Sequence, residues 1–283
     1  MWPWLDRGGR FSPLKSIVFA LLFAPGLWLA WRLAAGQLGP RPINEIILHT
    51  GLWTIRLLLI TLVITPLRQL LRWPQLVTVR RMIGVAAFAY GAAHLTAFAA
   101  DKVFDLGVVA TEIVTRFYLT IGALALAGLA ALAVTSTDRM VRRLGGRNWR
   151  RLHRLVYAIG ILGAVHFFLQ SKLNVAEPIV MAGLLTWLLG YRLLPDAVGQ
   201  PLRRLAQIAG LGILVGFLTL VGEFAYYWLA FHADPLRLLA ATFSLKAGIR
   251  PGWIVLAIGA LATAAGALRL PSAARGGLLA RRA

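Results

Sequence analysis

Apolar residues run along this chain in long blocks rather than in alternation. Stretches of about 20 mainly apolar residues, the length that crosses a hydrocarbon layer as a helix, fall at Ser16 to Ala35, Ile46 to Thr65, Met82 to Ala100 and Tyr118 to Val134. Four more follow at Leu155 to Leu169, Pro178 to Leu194, Ile208 to Phe231 and Trp253 to Leu268. Helix breakers stand between the blocks: Pro40 and Pro42, Pro66 and Pro74, Gly145 and Gly146, Pro195 and Pro201, Pro235 and Pro251. The period-two pattern of a membrane β-barrel is absent. The blocks therefore predict an all-α integral membrane protein, a bundle of about eight transmembrane helices. Arg7, Arg10 and Lys15 precede the first block as they would in a secretory signal. Its apolar run is too long for that role and no small-residue cleavage site follows, so it reads as a retained anchor.

Composition narrows the class. Charged residues make up 14% of the chain and hydrophobic ones 59%, whereas soluble domains are about a quarter charged. A soluble enzyme and a disordered chain are both excluded. With no cysteine, disulfides, thiolate metal sites and thiol catalysis are excluded too. The formal charge of +20 would suggest nucleic acid in a soluble protein, but its placement says otherwise. Arg68, Arg72, Arg80 and Arg81 follow the second span; Arg139, Arg142, Arg143, Arg147, Arg150, Arg151 and Arg154 follow the fourth, against Asp138 alone. The intervening connections are balanced or acidic, with Asp101, Lys102, Asp105, Glu112 and Arg116 in one and Lys172 and Glu177 in the other. The positive-inside rule then places both termini and the arginine-rich connections in the cytoplasm, facing lipid headgroups rather than nucleic acid. The expected organisation is a cytoplasmic segment over 1–15, a six-helix core over 16–194, an extension with two further spans over 195–270, and a basic cytoplasmic tail over 271–283.

Ionisable groups inside spans are costly and are functional suspects. They are few here: His49, His94, His153 and His166, with Arg56 and Glu223, while His232 ends the seventh span. His94 lies 13 residues beyond Arg81 and His166 lies 13 beyond His153. Both helices run from inside to outside, so the two imidazoles rise about 20 Å to one depth in the outer half. Two neutral imidazoles at one depth can ligate a haem iron from opposite sides. Gly91 and Gly163, each three residues before its histidine, would let a porphyrin approach. Buried histidines that only hydrogen-bond a neighbouring helix remain the competing reading. His153 lies about 140° out of phase with His166; it is either the ligand of a second site or an interfacial residue near Arg150. His49 fits a haem propionate, a docked partner or a plain interfacial position.

Two stretches carry a family likeness: RRMIGVAAFAYGAAHLTAFAAD from Arg80 and LGGRNWRRLHRLVYAIGILGAVHFFLQSK from Leu144. With TGLWTIRLLLITLVITPLRQL from Thr50 and TRFYLTIG from Thr115, they closely resemble the MsrQ (formerly YedZ) family. These are haem-binding membrane subunits of a bacterial methionine sulfoxide reductase system, within the ferric-reductase-like transmembrane group. The likeness covers about Ser16 to Leu194. It implies an inner-membrane electron conduit with haem b and an association with FMN. Electrons would come from the quinone pool or a cytoplasmic flavin reductase. They would go to MsrP, a periplasmic molybdopterin subunit that repairs oxidised periplasmic proteins. The substrate-reducing site is thus expected on the partner. By motif, His94 and His166 match the family's membrane-embedded haem ligands, and His153 matches the histidine of LHRLVY as ligand of a second haem. The chain departs from the family in having Leu48 where a histidine often stands, with His49 adjacent, and in its two extra spans. The alternative from another class is a transporter or structural membrane subunit with incidental histidines, which would show an internal repeat or a broken helix pair; no internal repeat is visible.

Overall fold

Each of the eight apolar blocks is helical in the computed structural model, which describes residues 2–6, 8–171, 174–244 and 248–268. The basic tail expected over 271–283, with Arg7, Lys172 and Lys246, lies outside the described residues. The helices that carry the blocks are α1 (Pro13–Ala34), α2 (Pro42–Leu70), α3 (Val77–Asp101), α5 (Phe117–Val134), α7 (Leu155–Gln170), α8 (Ala176–Leu193), α9 (Pro201–Phe231) and α11 (Pro251–Ala267). Three further helices occupy stretches expected as connections: α4 (Leu106–Thr115), α6 (Asp138–His153) and α10 (Pro235–Phe243). Among the described residues, six helices are long and apolar enough to span a membrane, the fifth being α6 and α7 taken together. The last block, α11, is a shorter apolar helix of 17 residues. In α8, Glu177 and Arg192 occupy the first and last turns.

Several prolines expected to separate the blocks open helices instead. Pro42, Pro201, Pro235 and Pro251 stand in the first turn, where the missing N–H has no intrahelical partner to lose. Pro66 departs from this, because α2 continues through it to Leu70. The short helices are started by side chains. Asp105 accepts from Val108 N at 3.0 Å, Thr137 from Met140 N at 3.2 Å and Asp234 from Arg237 N at 2.8 Å. The arginine-rich connection is the amphipathic α6, kinked at Gly145 (φ 74°, ψ 147°) and with no buried residue.

The chain divides into two compact units, residues 1–64 with 75–170, and residues 65–74 with 171–283. In the first, small residues let α2, α3, α5 and α7 approach closely, as expected where lipid gives helices no hydrophobic drive to associate. A Cβ on Gly91 would lie 2.8 Å from Leu126 and 3.3 Å from Thr54, and one on Gly128 2.8 Å from Ile159. In the second, α9 and α11 cross at Gly212 and Gly259, where a Cβ on Gly259 would lie 2.7 Å from the Gly212 Cα. Gly183 of α8 faces Thr219 and Val255 of that pair. The remaining helix faces expose large apolar side chains, such as Leu21, Leu27 and Trp28 on α1 and Ile213, Phe217 and Leu218 on α9. A water-soluble surface would not sustain such stretches.

Candidate functional site

Within the first unit, α3 and α7 bring His94 and His166 together. Their ring centroids are 6.3 Å apart and the ring planes cross at 82°. His94 Nδ1 lies 2.9 Å from the Ile47 carbonyl on α2, and His166 Nδ1 lies 2.7 Å from the Tyr118 carbonyl on α5. A carbonyl oxygen only accepts, so each Nδ1 carries the proton and donates. In each neutral ring the lone pair is then on Nε2, the atom a metal would bind.

The separation suits a shared metal. A first-row metal held by one imidazole nitrogen on each side, at about 2.0–2.1 Å, sets ring centroids about 6.3 Å apart. Among the described residues, no cluster of three or more His, Asp or Glu side chains forms a metal site. Two imidazoles alone would fit a haem iron, since a porphyrin would supply the other ligands.

The glycines beside the rings are not those expected. Gly91 packs against Leu126 and Thr54, and Gly163 against Ile55. Gly51 and Gly122, on the neighbouring helices, face the imidazoles instead. A Cβ on Gly51 would lie 2.9 Å from His94 Nδ1, and one on Gly122 would lie 2.7 Å from both Nδ1 and Cε1 of His166. Helical phase shows which face of its own helix a glycine occupies, not which neighbour fills the space. Gly51 and Gly122 do stand in TGLW and TIGA, inside the stretches that carried the family likeness.

The structure does not bring His153 to this pair. It ends α6, stacked on Trp149 with centroids 3.8 Å apart, and its Nε2 is 3.3 Å from Thr135 Oγ1. Trp149 Nε1 donates to the Thr135 carbonyl at 2.8 Å, so α6 folds back on the end of α5. His153 thus meets Trp149 and Thr135. His49 donates from Nε2 to the Pro25 carbonyl of α1 at 3.0 Å. Arg56 lies over the Trp53 ring at 5.2 Å. In the second unit Glu223 is 3% exposed and pairs with Arg250 at 3.3 Å.

At the nearby end of α3, Lys102 bridges Asp101 at 3.3 Å and Glu112 at 3.4 Å, and Arg116 meets Glu112 at 3.5 Å. The hydrogen bond to Asp101, with the Glu112 charge, holds the Lys102 ammonium above its ordinary pKa. These pairs hold α4 against the α3 terminus.

Comparison with known proteins gives the family. The ferric reductase like transmembrane component family matches residues 50–164. A Rhodospirillum rubrum protein named protein-methionine-sulfoxide reductase heme-binding subunit MsrQ is 42% identical over 191 residues, covering 67% of this chain and 89% of that one. Proteins of the same name from Caulobacter vibrioides and Xanthomonas campestris pv. campestris are 43% and 45% identical, over 62% and 63% of this chain and 85% and 84% of theirs. No solved structure matches significantly. The identity and coverage place the chain plainly: it belongs to the MsrQ family, with a ferric-reductase-like transmembrane domain.

Proposed function

We propose that this chain is a haem b electron-transfer subunit of a membrane-bound methionine sulfoxide reductase system, with His94 and His166 as the axial ligands of one haem. The observation that carries the reading is the pair of imidazoles, 6.3 Å between centroids, each with Nδ1 tied to a backbone carbonyl. Those hydrogen bonds fix the tautomer and aim each ring, with the lone pair of the neutral imidazole at Nε2. Bound there, a haem supplies a one-electron carrier inside the membrane, which is the chemistry an electron-transfer subunit needs. The chain holds the ligands and shields the site among apolar helices.

Orientation follows from charge. The arginines of α6 and the Arg80 and Arg81 end of α3 face the cytoplasm by the positive-inside rule, and the eight helical blocks form eight spans with both ends inside. His94 and His166 then lie toward the periplasm, suited to delivery to a molybdopterin-containing partner, MsrP, that carries the substrate-reducing site. Electrons arrive on the cytoplasmic side from quinol or a flavin reductase. FMN rests on the family likeness alone, with the basic face of α6 as the candidate for its phosphate. The membrane is the bacterial inner membrane.

The purified protein is expected to show a reducible b-type haem spectrum, lost or strongly diminished in His94→Ala and His166→Ala. A colourless, folded preparation from haem-sufficient cells would refute the reading. His153 is tested separately, because its Nε2 must exchange the Thr135 hydroxyl for iron to hold a second haem. A haem-to-protein ratio that falls from two to one in His153→Ala makes it a ligand; an unchanged ratio leaves it as the fastening of α6 to α5.

A further inference from the structure

The two imidazoles are held by the same local device on two different helices. Ile47 lies one turn before Gly51 on α2, and Tyr118 lies one turn before Gly122 on α5. In each case the carbonyl at the first position accepts from Nδ1, while the glycine at the second leaves room for the ring to reach it. We propose that the Ile47–Gly51 and Tyr118–Gly122 pairs are matched positioning devices that fix the tautomer and the crossed orientation of the axial imidazoles, and with them the redox potential of the site. This rests on the reading of His94 and His166 as haem ligands.

The steric part is specific. A methyl group on Gly51 would fall 2.9 Å from His94 Nδ1, the nitrogen that makes the hydrogen bond, and one on Gly122 would fall 2.7 Å from His166 Nδ1. The backbones are helical and fixed, so the ring must turn or withdraw. Rotation about the Cβ–Cγ bond of a histidine is broad and otherwise weakly constrained, so the carbonyl is what selects one ring plane. The carbonyls of two separate helices select planes 82° apart.

The electronic part follows from the hydrogen bond. An imidazole that donates Nδ1–H to a carbonyl is the more basic ligand at Nε2. A more basic axial ligand favours ferric over ferrous iron, so losing the bond moves the midpoint potential to more positive values. Crossed axial planes leave two iron d orbitals close in energy. The ferric protein then gives a single strongly displaced low-field EPR feature, where parallel planes give a three-line rhombic spectrum.

The test compares Gly51→Ala and Gly122→Ala with Gly91→Ala in the detergent-purified, haem-loaded full chain. Gly91 is as crowded as the other two, 2.8 Å from Leu126, but by side chains other than the histidines. Gly51→Ala and Gly122→Ala are expected to retain haem about 10–100-fold more weakly. The haem they keep should show a more positive midpoint potential and a rhombic or high-spin ferric EPR spectrum. Gly91→Ala should keep the wild-type potential and EPR spectrum in its folded fraction. The proposal is overturned if both cradle variants keep the wild-type potential and spectrum, or if Gly91→Ala shifts them equally. Should the alanine variants not fold, the wild-type ferric spectrum decides, since a rhombic signal there overturns the crossed geometry. Retention of haem by His94→Ala and His166→Ala would instead refute the ligand reading. Loss of haem in those two with unshifted glycine variants would refute only the positioning role.

Discussion

Tyr90 shows how single side chains shape the helices around the site. Pro25 interrupts α1, and the Tyr90 hydroxyl of α3 stands in the opened ladder. It accepts from Gly26 N at 2.9 Å and donates to the Leu22 carbonyl at 2.9 Å, while His49 donates to the Pro25 carbonyl. A side chain inserted into the ladder is a recognised cause of a helix bend. Tyr90→Phe strips a partner from one donor and one acceptor that lipid cannot replace. It is expected to cost about 1–3 kcal/mol, read as a lower melting temperature in detergent with the haem spectrum unchanged. Melting at the wild-type temperature would show that the bridge holds nothing. At this scale the sequence was legible where distance along one helix decided the answer. Counting residues from the arginine ends placed His94 and His166 at one level, and they meet. It was illegible where a neighbour decided, as with Gly51, Gly122 and the Pro25 partner of His49.

Among the elements, the long apolar blocks were readable because a spanning helix is written as composition over about 20 residues. The short helices α4, α6 and α10 were not, because their charged residues look like connection and their starts depend on local caps at Asp105, Thr137 and Asp234. Helix pairing was also hidden, since it depends on which glycine meets which neighbour. The α9–α11 crossing makes this testable. A side chain at Gly259 meets the Gly212 Cα, backbone that cannot rotate away. Gly259→Val is therefore expected to part the two helices. The chain has no cysteine, so a pair introduced at Thr219 and Val255, which meet at Gly183, reports the contact by thiol cross-linking. Cross-linking should be efficient in the parent and lost in Gly259→Val; equal yields would mean that the crossing tolerates the side chain.

Over the whole molecule, the residues around the two imidazoles fall within one of the two units. Ile47, Gly51, His94, Tyr118, Gly122 and His166 all belong to the first. The second closes on contacts of its own: the Gly212–Gly259 crossing, the Tyr191 hydroxyl on Gln69 at 2.9 Å, and the buried Glu223–Arg250 pair. Net charge and the apolar helical blocks could be read from the sequence, but this partition could not, because it depends on contacts between residues far apart in the chain. A chain ending at Leu194 loses α9, α10 and α11 and keeps each residue that cradles the two imidazoles. The positions of α8 that it uncovers include the small residues Gly183 and Gly190, and lipid can cover them where water could not. The shortened protein is therefore expected to bind haem at the wild-type ratio, with an unchanged optical spectrum and midpoint potential. Its melting should be monitored through the haem band, which reports the first unit alone. A haem content that falls in step with the truncation, in protein that remains monodisperse, would show that α9–α11 support the site and that the two units do not divide function as they divide contacts.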